Sequence, residues 1–273
     1  MLMLASGLMG PLLTWAQDGG ASTHVFAKTA DGPLHLDIHL PKTGTNLGPT
    51  ILWIHGGGWR QGSRGNWHLV DWLPDKGCPV VSIDYRLTNT APFPAQITDC
   101  RAALAWLREH GENHGVDPKH MVVAGLSAGA HLASLLALSD NNKTTPLRGI
   151  LHFYGPCDFI AMMKYAKKPT DVLNTPAAPV YALLGGPLRD HAKLAEQASP
   201  VTHLDAEDPP ILIFVGTKDS LMTQRQCGLL KTKARDAGVK ATLHTIEGAG
   251  HGGPAFSDET RQKQILDFLK SVE

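Results

Sequence analysis

The chain has 273 residues, 42% of them hydrophobic and 18% charged, so it has enough apolar material for one sizeable core and is not a disordered, charge-rich chain. Lysine plus arginine total 25, and aspartate plus glutamate also total 25. This balance gives no net positive charge to attract nucleic acid or an anionic membrane surface, so we expect a small or neutral molecule as the partner.

Residues 1–22 form a segment of their own. An apolar stretch from Met1 to Ala16 is too short to span a bilayer, and a polar run follows it up to Ser22. Thr14 and Ala16 fit a small-x-small cleavage site but no Lys or Arg precedes the apolar part, so the segment resembles a signal peptide without its basic start. We expect a secreted or periplasmic protein if the segment is cleaved. Otherwise we expect a cytoplasmic protein whose N-terminus packs on the domain or is disordered.

From Thr23 onward, short apolar runs alternate with longer helical patterns, which is typical of a mostly parallel sheet with helices on both faces. The first two predicted strands alternate apolar and polar residues, which predicts an antiparallel edge. The other six are nearly continuous apolar runs, which predicts strands covered on both faces. The eight predicted strands are 24–28, 34–40, 50–55, 80–85, 120–124, 149–154, 211–215 and 241–246.

Four segments carry apolar residues at three- and four-residue spacing, which predicts helices at 95–108, 128–138, 221–237 and 257–270. The segment 157–200 is irregular and dotted with proline and glycine, with two short helical patches. We interpret it as a small insertion over the sheet, after the sixth strand.

The motif Gly-Leu-Ser-Ala-Gly at 125–129 lies between a predicted strand and a predicted helix. A serine on such a sharp turn has a strained backbone, so its neighbours must be small for the turn to close and for substrate to approach. The N–H groups at the start of the following helix favour negative charge beside the serine. We therefore predict that Ser127 is a nucleophile. The alternative is a glycine-rich turn with an incidental serine.

The sequence His-Gly-Gly-Gly-Trp at 55–59 follows an apolar strand and predicts an oxyanion loop. Consecutive glycines leave backbone N–H groups free to point at an external oxygen. We predict that the N–H of Gly57 or Gly58 acts together with that of Ala128, the residue after the nucleophile. A phosphate-binding loop is the alternative, but the GxGxxG spacing and the P-loop lysine are both missing. His55 is interpreted as holding the loop by a hydrogen bond rather than as a base.

A serine needs a base to remove its proton and a third group to orient that base. In a strand, turn and helix arrangement of this kind the chain order is serine, then acid, then histidine. Asp219 follows a predicted strand at the end where parallel sheets bind ligands, and His251 lies in a glycine-rich loop after the last strand. We predict Asp219 as the acid and His251 as the base. Glu247 and Asp258 are nearby rivals for the acid, and Asp219 could instead cap the next helix.

The fourteen histidines do not form a metal motif: there is no HExxH, no paired-aspartate loop and no His-x-His cluster beside carboxylates. No metal and no cofactor are therefore expected. His131 lies one turn into the helix after Ser127 and is interpreted as a packing residue. The four cysteines show no CxxC pair and are interpreted as free buried thiols, although three pairings are possible in principle.

Together these motifs resemble those of α/β-hydrolases with an HGGGW loop, a branch that includes hormone-sensitive-lipase-like esterases and bacterial acetyl xylan or feruloyl esterases. The chain is most similar to the second group, from about residue 23 to its C-terminus. The resemblance extends to DYRL at 84–87, APFPA at 91–95, GPCD at 155–158 and EGAGHGG at 247–253. The chain departs from the pattern at Leu126, at Ala130 and at Ser-Leu-Met-Thr, 220–223. We expect the stretch 220–223 to line the acyl side of the pocket, and the insertion 157–200 to shape the pocket.

The resemblance implies an α/β-hydrolase fold in one catalytic domain over 23–273. It also implies a serine carboxylesterase that cleaves short-chain acyl or hydroxycinnamoyl esters of small molecules or carbohydrate, without a cofactor and without stable membrane insertion. Amidase (formamidase included), peptidase or acyltransferase activity could use the same residues, because fold does not fix function. A non-catalytic binding protein is disfavoured, because all three residues of the expected triad are present.

Overall fold

The structure is a computed structural model that describes residues 21–42, 48–139, 147–164, 168 and 170–273. The signal-like stretch up to residue 20 lies outside the described residues.

Eight strands form one sheet in the order β1-β2-β4-β3-β5-β6-β7-β8. Strands β1 and β2 pair antiparallel, β2 pairs antiparallel with β4, and all the other neighbours are parallel. This confirms the predicted antiparallel edge and the mostly parallel sheet of an α/β-hydrolase fold. The strands are β1 Ser22–Thr29, β2 Gly32–His39, β3 Thr50–Ile54, β4 Val80–Ile83, β5 Met121–Leu126, β6 Gly149–Phe153, β7 Ile211–Gly216 and β8 Ala241–Ile246.

The core lies around the central strands. Every residue of β3, β4, β6 and β7 is buried, as their continuous apolar sequences predict for strands covered on both faces. The same prediction was wrong for β8, where Thr242 and Thr245 are exposed and only Ile246 is fully buried. Because β8 ends the sheet, its neighbours cover it less completely than they cover a central strand.

Seven α-helices accompany the sheet in the described ranges: α1 Ala95–His110, α2 Ala128–Ser139, α3 Phe159–Met163, α4 Pro179–Leu184, α5 Ala192–Gln197, α6 Leu221–Asp236 and α7 Glu259–Lys270. The four long helices agree with the predicted ones to within two residues. Helix α7 begins two residues later in the chain than predicted, because Asp258 caps it. The Asp258 side chain accepts a hydrogen bond from the N–H of Arg261 at 2.9 Å. Within its described residues, the insertion after β6 holds three short α-helices, α3 to α5, whereas the sequence predicts two helical patches.

The parallel strands bring their carboxyl ends to one edge of the sheet. The loops that follow β3, β5, β7 and β8 therefore leave the sheet on the same side. Each of the predicted site residues lies on one of these loops or at the start of the helix that follows.

Candidate active site

Ser127 lies on the turn between β5 and α2 with a left-handed φ of +52°. Such a conformation is strained for a residue with a side chain, and here the serine Oγ lies against His251. Close packing of the turn allows no larger neighbours. A Cβ at Gly129 would overlap the carbonyl oxygens of Ile54 and His55, and one at Gly125 would lie 2.5 Å from the carbonyl of Gly129.

The structure brings Ser127, His251 and Asp219 together in one line of hydrogen bonds. The Nε2 atom of His251 lies 3.0 Å from the Oγ of Ser127, and its Nδ1 atom lies 2.7 Å from Oδ2 of Asp219. Since a carboxylate can only accept, Nδ1 carries the proton and Nε2 is left with a lone pair facing the serine hydroxyl. This arrangement can withdraw a proton from Ser127.

Burial and hydrogen bonds hold Asp219 in position for its contact with His251. Its side chain is only 2% exposed, and Oδ1 accepts a hydrogen bond from the N–H of Ser220 at 2.5 Å. Its carbonyl accepts from Nε2 of Gln224 at 2.7 Å. The cap of α6 is Ser220, whose hydroxyl accepts from the N–H of Thr223, so Asp219 does not have the alternative role of a capping side chain.

The two rival carboxylates have other surroundings. Asp258 caps α7 and forms an ion pair with Arg261 at 3.3 Å. Glu247 is exposed at the end of β8. Of the three acids weighed from the sequence, Asp219 is the one that lies against His251.

Two of the predicted oxyanion donors also lie at the pocket beside Ser127. Gly58 and Ala128 line the same pocket as Ser127, and within the described residues no hydrogen bond uses the N–H of either. Gly57 instead lines a separate cavity, and its carbonyl accepts bonds from Arg60 and Gln61. Of the two loop donors considered, Gly58 is therefore the better placed to bind an oxyanion beside Ala128.

His55 holds the glycine loop, in agreement with the sequence interpretation. It is 1% exposed, its Nδ1 lies 2.7 Å from the carbonyl oxygen of Gly56, and its ring stacks on Tyr85 at 4.2 Å. The Tyr85 hydroxyl donates to the His55 carbonyl at 3.1 Å. Burial lowers the pKa of His55, so its ring is neutral near neutral pH.

Two further histidines are buried beneath the turn. The Nε2 of His131 lies 2.7 Å from the carbonyl oxygen of Ala198, which ties α2 to the insertion, and its ring packs against Trp59 and Phe159. The Nδ1 of His152 lies 2.8 Å from the Oγ of Ser134. Burial lowers the pKa of His131 and that of His152 to about 4. The packing role predicted for His131 agrees with these contacts.

A pocket of about 170 Å³ opens beside Ser127 and His251. Some of its walls come from the irregular insertion and from the start of α6, as the sequence predicts, but the sequence does not single out the individual side chains. These walls include Met162, Pro179 and Met222, and also Tyr154, whose backbone is left-handed with a φ of +44°. A proline-rich insertion does not reveal in its sequence which side chains face the sheet edge.

The four cysteines, Cys78, Cys100, Cys157 and Cys227, are free and buried, which confirms the sequence interpretation. Among the described residues no group of three or more His, Cys, Asp or Glu side chains is arranged to hold a metal ion. In the same part of the chain, no helix is both long enough and apolar enough to cross a bilayer.

The BD-FAE family model matches residues 36–234. The probable carboxylic ester hydrolase LipM of Mycobacterium tuberculosis is 32% identical over 229 residues, covering 78% of this chain and 50% of LipM. The AB hydrolase superfamily protein C1039.03 of Schizosaccharomyces pombe is 30% identical, covering 80% of this chain and 67% of that protein. The chain spans about half the length of the mycobacterial relatives it matches.

A solved structure described as a truncated form of carbohydrate esterase from gut microbiota is similar over nearly the whole of both chains. Its TM-score is 0.77 at 26% sequence identity, and the match covers 94% of this chain and 98% of that one.

Proposed function

Because the chain belongs to the BD-FAE family and has the α/β-hydrolase fold, we propose that it is a serine carboxylesterase that works through an acyl-enzyme on Ser127. The observation that carries this proposal is the hydrogen-bonded line from Ser127 through His251 to Asp219. Esterase relatives support the reaction class, since LipM is named a probable carboxylic ester hydrolase and LipQ an esterase.

In the proposed first step, Nε2 of His251 takes the Ser127 proton as Oγ attacks the ester carbonyl carbon. Negative charge develops on the carbonyl oxygen, where the N–H groups of Gly58 and Ala128 stabilise it. The imidazolium then gives its proton to the alcohol oxygen, the C–O bond breaks, and the acyl group stays on Ser127. Water, deprotonated by His251, releases the acid and restores the serine.

For the acyl group we propose a short chain. A pocket of about 170 Å³ is smaller than the roughly 300–1,000 Å³ of sites that enclose drug-sized ligands. Acetyl and similarly small groups suit it better than a hydroxycinnamoyl group does. A carbohydrate-linked acetyl ester is the natural substrate that we favour, supported by the similarity to the carbohydrate esterase from gut microbiota.

Amide hydrolysis is the second candidate, because the same nucleophile, base and N–H donors would serve an amidase, including a formamidase, or a peptidase. A small pocket is compatible with a formyl group as well as with an acetyl group.

The test compares p-nitrophenyl acetate with p-nitroacetanilide on the same purified protein and on its Ser127→Ala variant. We expect acetate turnover to dominate and to fall at least about 1,000-fold in the variant. Faster turnover of the anilide would favour the amidase. Ester turnover retained by Ser127→Ala would refute the serine mechanism.

A further inference from the structure

Tyr154 follows β6 and is one of the residues other than glycine with a left-handed backbone. For a bulky aromatic residue this conformation is unusual and strained. Alternation along the strand would direct its side chain to the face of His152, which packs against Ser134. The left-handed turn breaks the alternation, and the ring instead reaches the carboxyl edge of the sheet, where it lines the pocket beside Ser127.

The turn is fixed by its surroundings. The N–H of Tyr154 donates to the carbonyl of Phe214 at 2.8 Å, and the N–H of Gly155 donates to Nε2 of His152 at 3.1 Å. A Cβ at Gly155 would lie 2.7 Å from the carbonyl oxygen of Ser127. Residue 154 is therefore held in its strained conformation by β7 on one side and by the turn that carries the serine on the other.

Besides that of its chain neighbour Phe153, the Tyr154 ring contacts the rings of His251 and Phe256. Its centroid lies 4.8 Å from that of His251 at 62° between the planes, and 4.6 Å from that of Phe256 at 70°. Phe256 is fully buried and follows the His251 loop in the chain. These are edge-on contacts of the kind that aromatic pairs prefer. Phe256 thus supports Tyr154, and Tyr154 supports His251.

Apart from its hydrogen bonds to Asp219 and Ser127, the His251 side chain lies in a loop that restrains it weakly. Glycines surround it at 250, 252 and 253, the last two with φ values of +109° and +105°, and its side chain is 47% exposed. Glycine backbones restrict the chain weakly. Within the described residues, Tyr154 is the only aromatic ring packed against the imidazole.

We propose that Tyr154 is a positioning residue whose ring holds the His251 imidazole between Ser127 and Asp219. The role belongs to the ring, and the hydroxyl is not needed for it. This inference rests on the proposed function for its effect on turnover, because a base displaced by about 1 Å can lose roughly 100-fold in rate. Its effect on the geometry of His251 is independent of the substrate.

The experiment compares Tyr154→Phe, which keeps the ring, with Tyr154→Leu, which removes it. Tyr181→Leu is the control, since Tyr181 is a half-buried tyrosine of α4 that does not line the pocket. With p-nitrophenyl acetate we expect Tyr154→Leu to lower kcat by roughly 10- to 100-fold with KM changed less than about twofold. We expect Tyr154→Phe and Tyr181→Leu to stay within about threefold of the parent protein in kcat.

A second readout needs no substrate. The Nδ1 proton of His251, bonded to Asp219, should give a downfield proton resonance that persists in Tyr154→Phe and broadens or disappears in Tyr154→Leu. In the unaltered protein, nuclear Overhauser contacts between the rings of Tyr154 and His251 are expected, which keeps the test open if the leucine variant does not fold. Absence of these contacts, or a leucine variant with unchanged kcat and resonance, would overturn the proposal. Lack of ester turnover in the unaltered protein would instead refute the proposed function and leave the resonance test valid.

Discussion

The Nε2 atom of His251 lies 3.0 Å from the hydroxyl oxygen of Ser127, although 124 positions separate the two residues in the chain. Ser127 follows β5 and His251 follows β8, and both strands end at the same edge of the sheet. A parallel sheet thus assembles the contact from distant parts of the sequence. The proposed proton transfer depends on this distance and on the carboxylate that fixes the tautomer of the histidine.

Replacing Asp219 tests how much the orientation of the His251 imidazole contributes to turnover, because the base itself is retained. Asp219→Asn can donate to Nδ1 and so stabilise the wrong tautomer, and we expect kcat to fall roughly 100- to 10,000-fold. Asp258→Asn is the matched control, because asparagine also caps a helix, and its kcat should stay within about twofold. Steady-state kinetics with p-nitrophenyl acetate measure both. A large loss of kcat in Asp258→Asn with none in Asp219→Asn would show that Asp219 is not the acid.

The acyl preference should follow the size of the pocket. Met222 lines it, so Met222→Ala should raise kcat/KM for hexanoate relative to acetate by about tenfold, because the added space is apolar. Met163→Ala is the control, since Met163 lies in α3 beside the pocket-lining Met162 without lining the pocket itself. The measurement is kcat/KM over a series of p-nitrophenyl esters. An equal shift in both variants would show that the preference is set elsewhere.

Two glycine-to-alanine changes should have opposite effects on stability, because Gly129 is closely packed in the serine turn and Gly228 is not closely packed. Gly129→Ala would overlap the carbonyl oxygens of Ile54 and His55, and we expect a loss of about 2 kcal/mol or more in the free energy of unfolding. Gly228→Ala lies within α6, where an added Cβ meets no atom within 4 Å, and should gain about 0.5–1 kcal/mol. Urea unfolding of both variants checks this. Equal free energies of unfolding for the two variants would contradict the close packing around Gly129.

Stability should fall as the pH falls from about 6.5 to about 4. Burial lowers the pKa of His131 and of His152 to about 4, whereas in the unfolded chain a histidine takes up its proton near pH 6.5. The unfolded state therefore binds more protons in this window, and each histidine adds a slope of up to about 1.4 kcal/mol per pH unit. The stabilisation is complete above about pH 6.5 and is lost as the pH approaches about 4.

Urea unfolding at a series of pH values measures that slope. His152→Gln should make it shallower by about one proton, because it removes one buried imidazole. A parent protein whose stability is constant between these pH values would show that the two imidazoles are not held neutral.

Local patterns predicted much of the sheet and the whole hydrogen-bonded line of the site. The serine turn needs glycine at 125 and 129, and the final loop needs glycines around 251, so both leave a signature in the sequence. The order of the motifs then singled out Asp219 and His251.

The rest depends on tertiary contacts that no local pattern records. Tyr154 reads as the last residue of an apolar strand, and its left-handed turn follows from packing against β7 and the serine turn. Gly58 lines the pocket beside Ser127 and Gly57 lines a different cavity, and a run of three glycines does not indicate which of them lies beside the serine. The exposure of Thr242 and Thr245 depends on the place of β8 at the sheet edge, which the composition of the strand does not encode.

The most direct test of Ser127 as an activated nucleophile is covalent labelling with a fluorophosphonate, read by intact mass and peptide mapping. We predict one adduct per chain, on the peptide that carries residue 127, and none in Ser127→Ala. A native, folded protein that stays unlabelled, or a label on a different serine, would contradict the proposed mechanism.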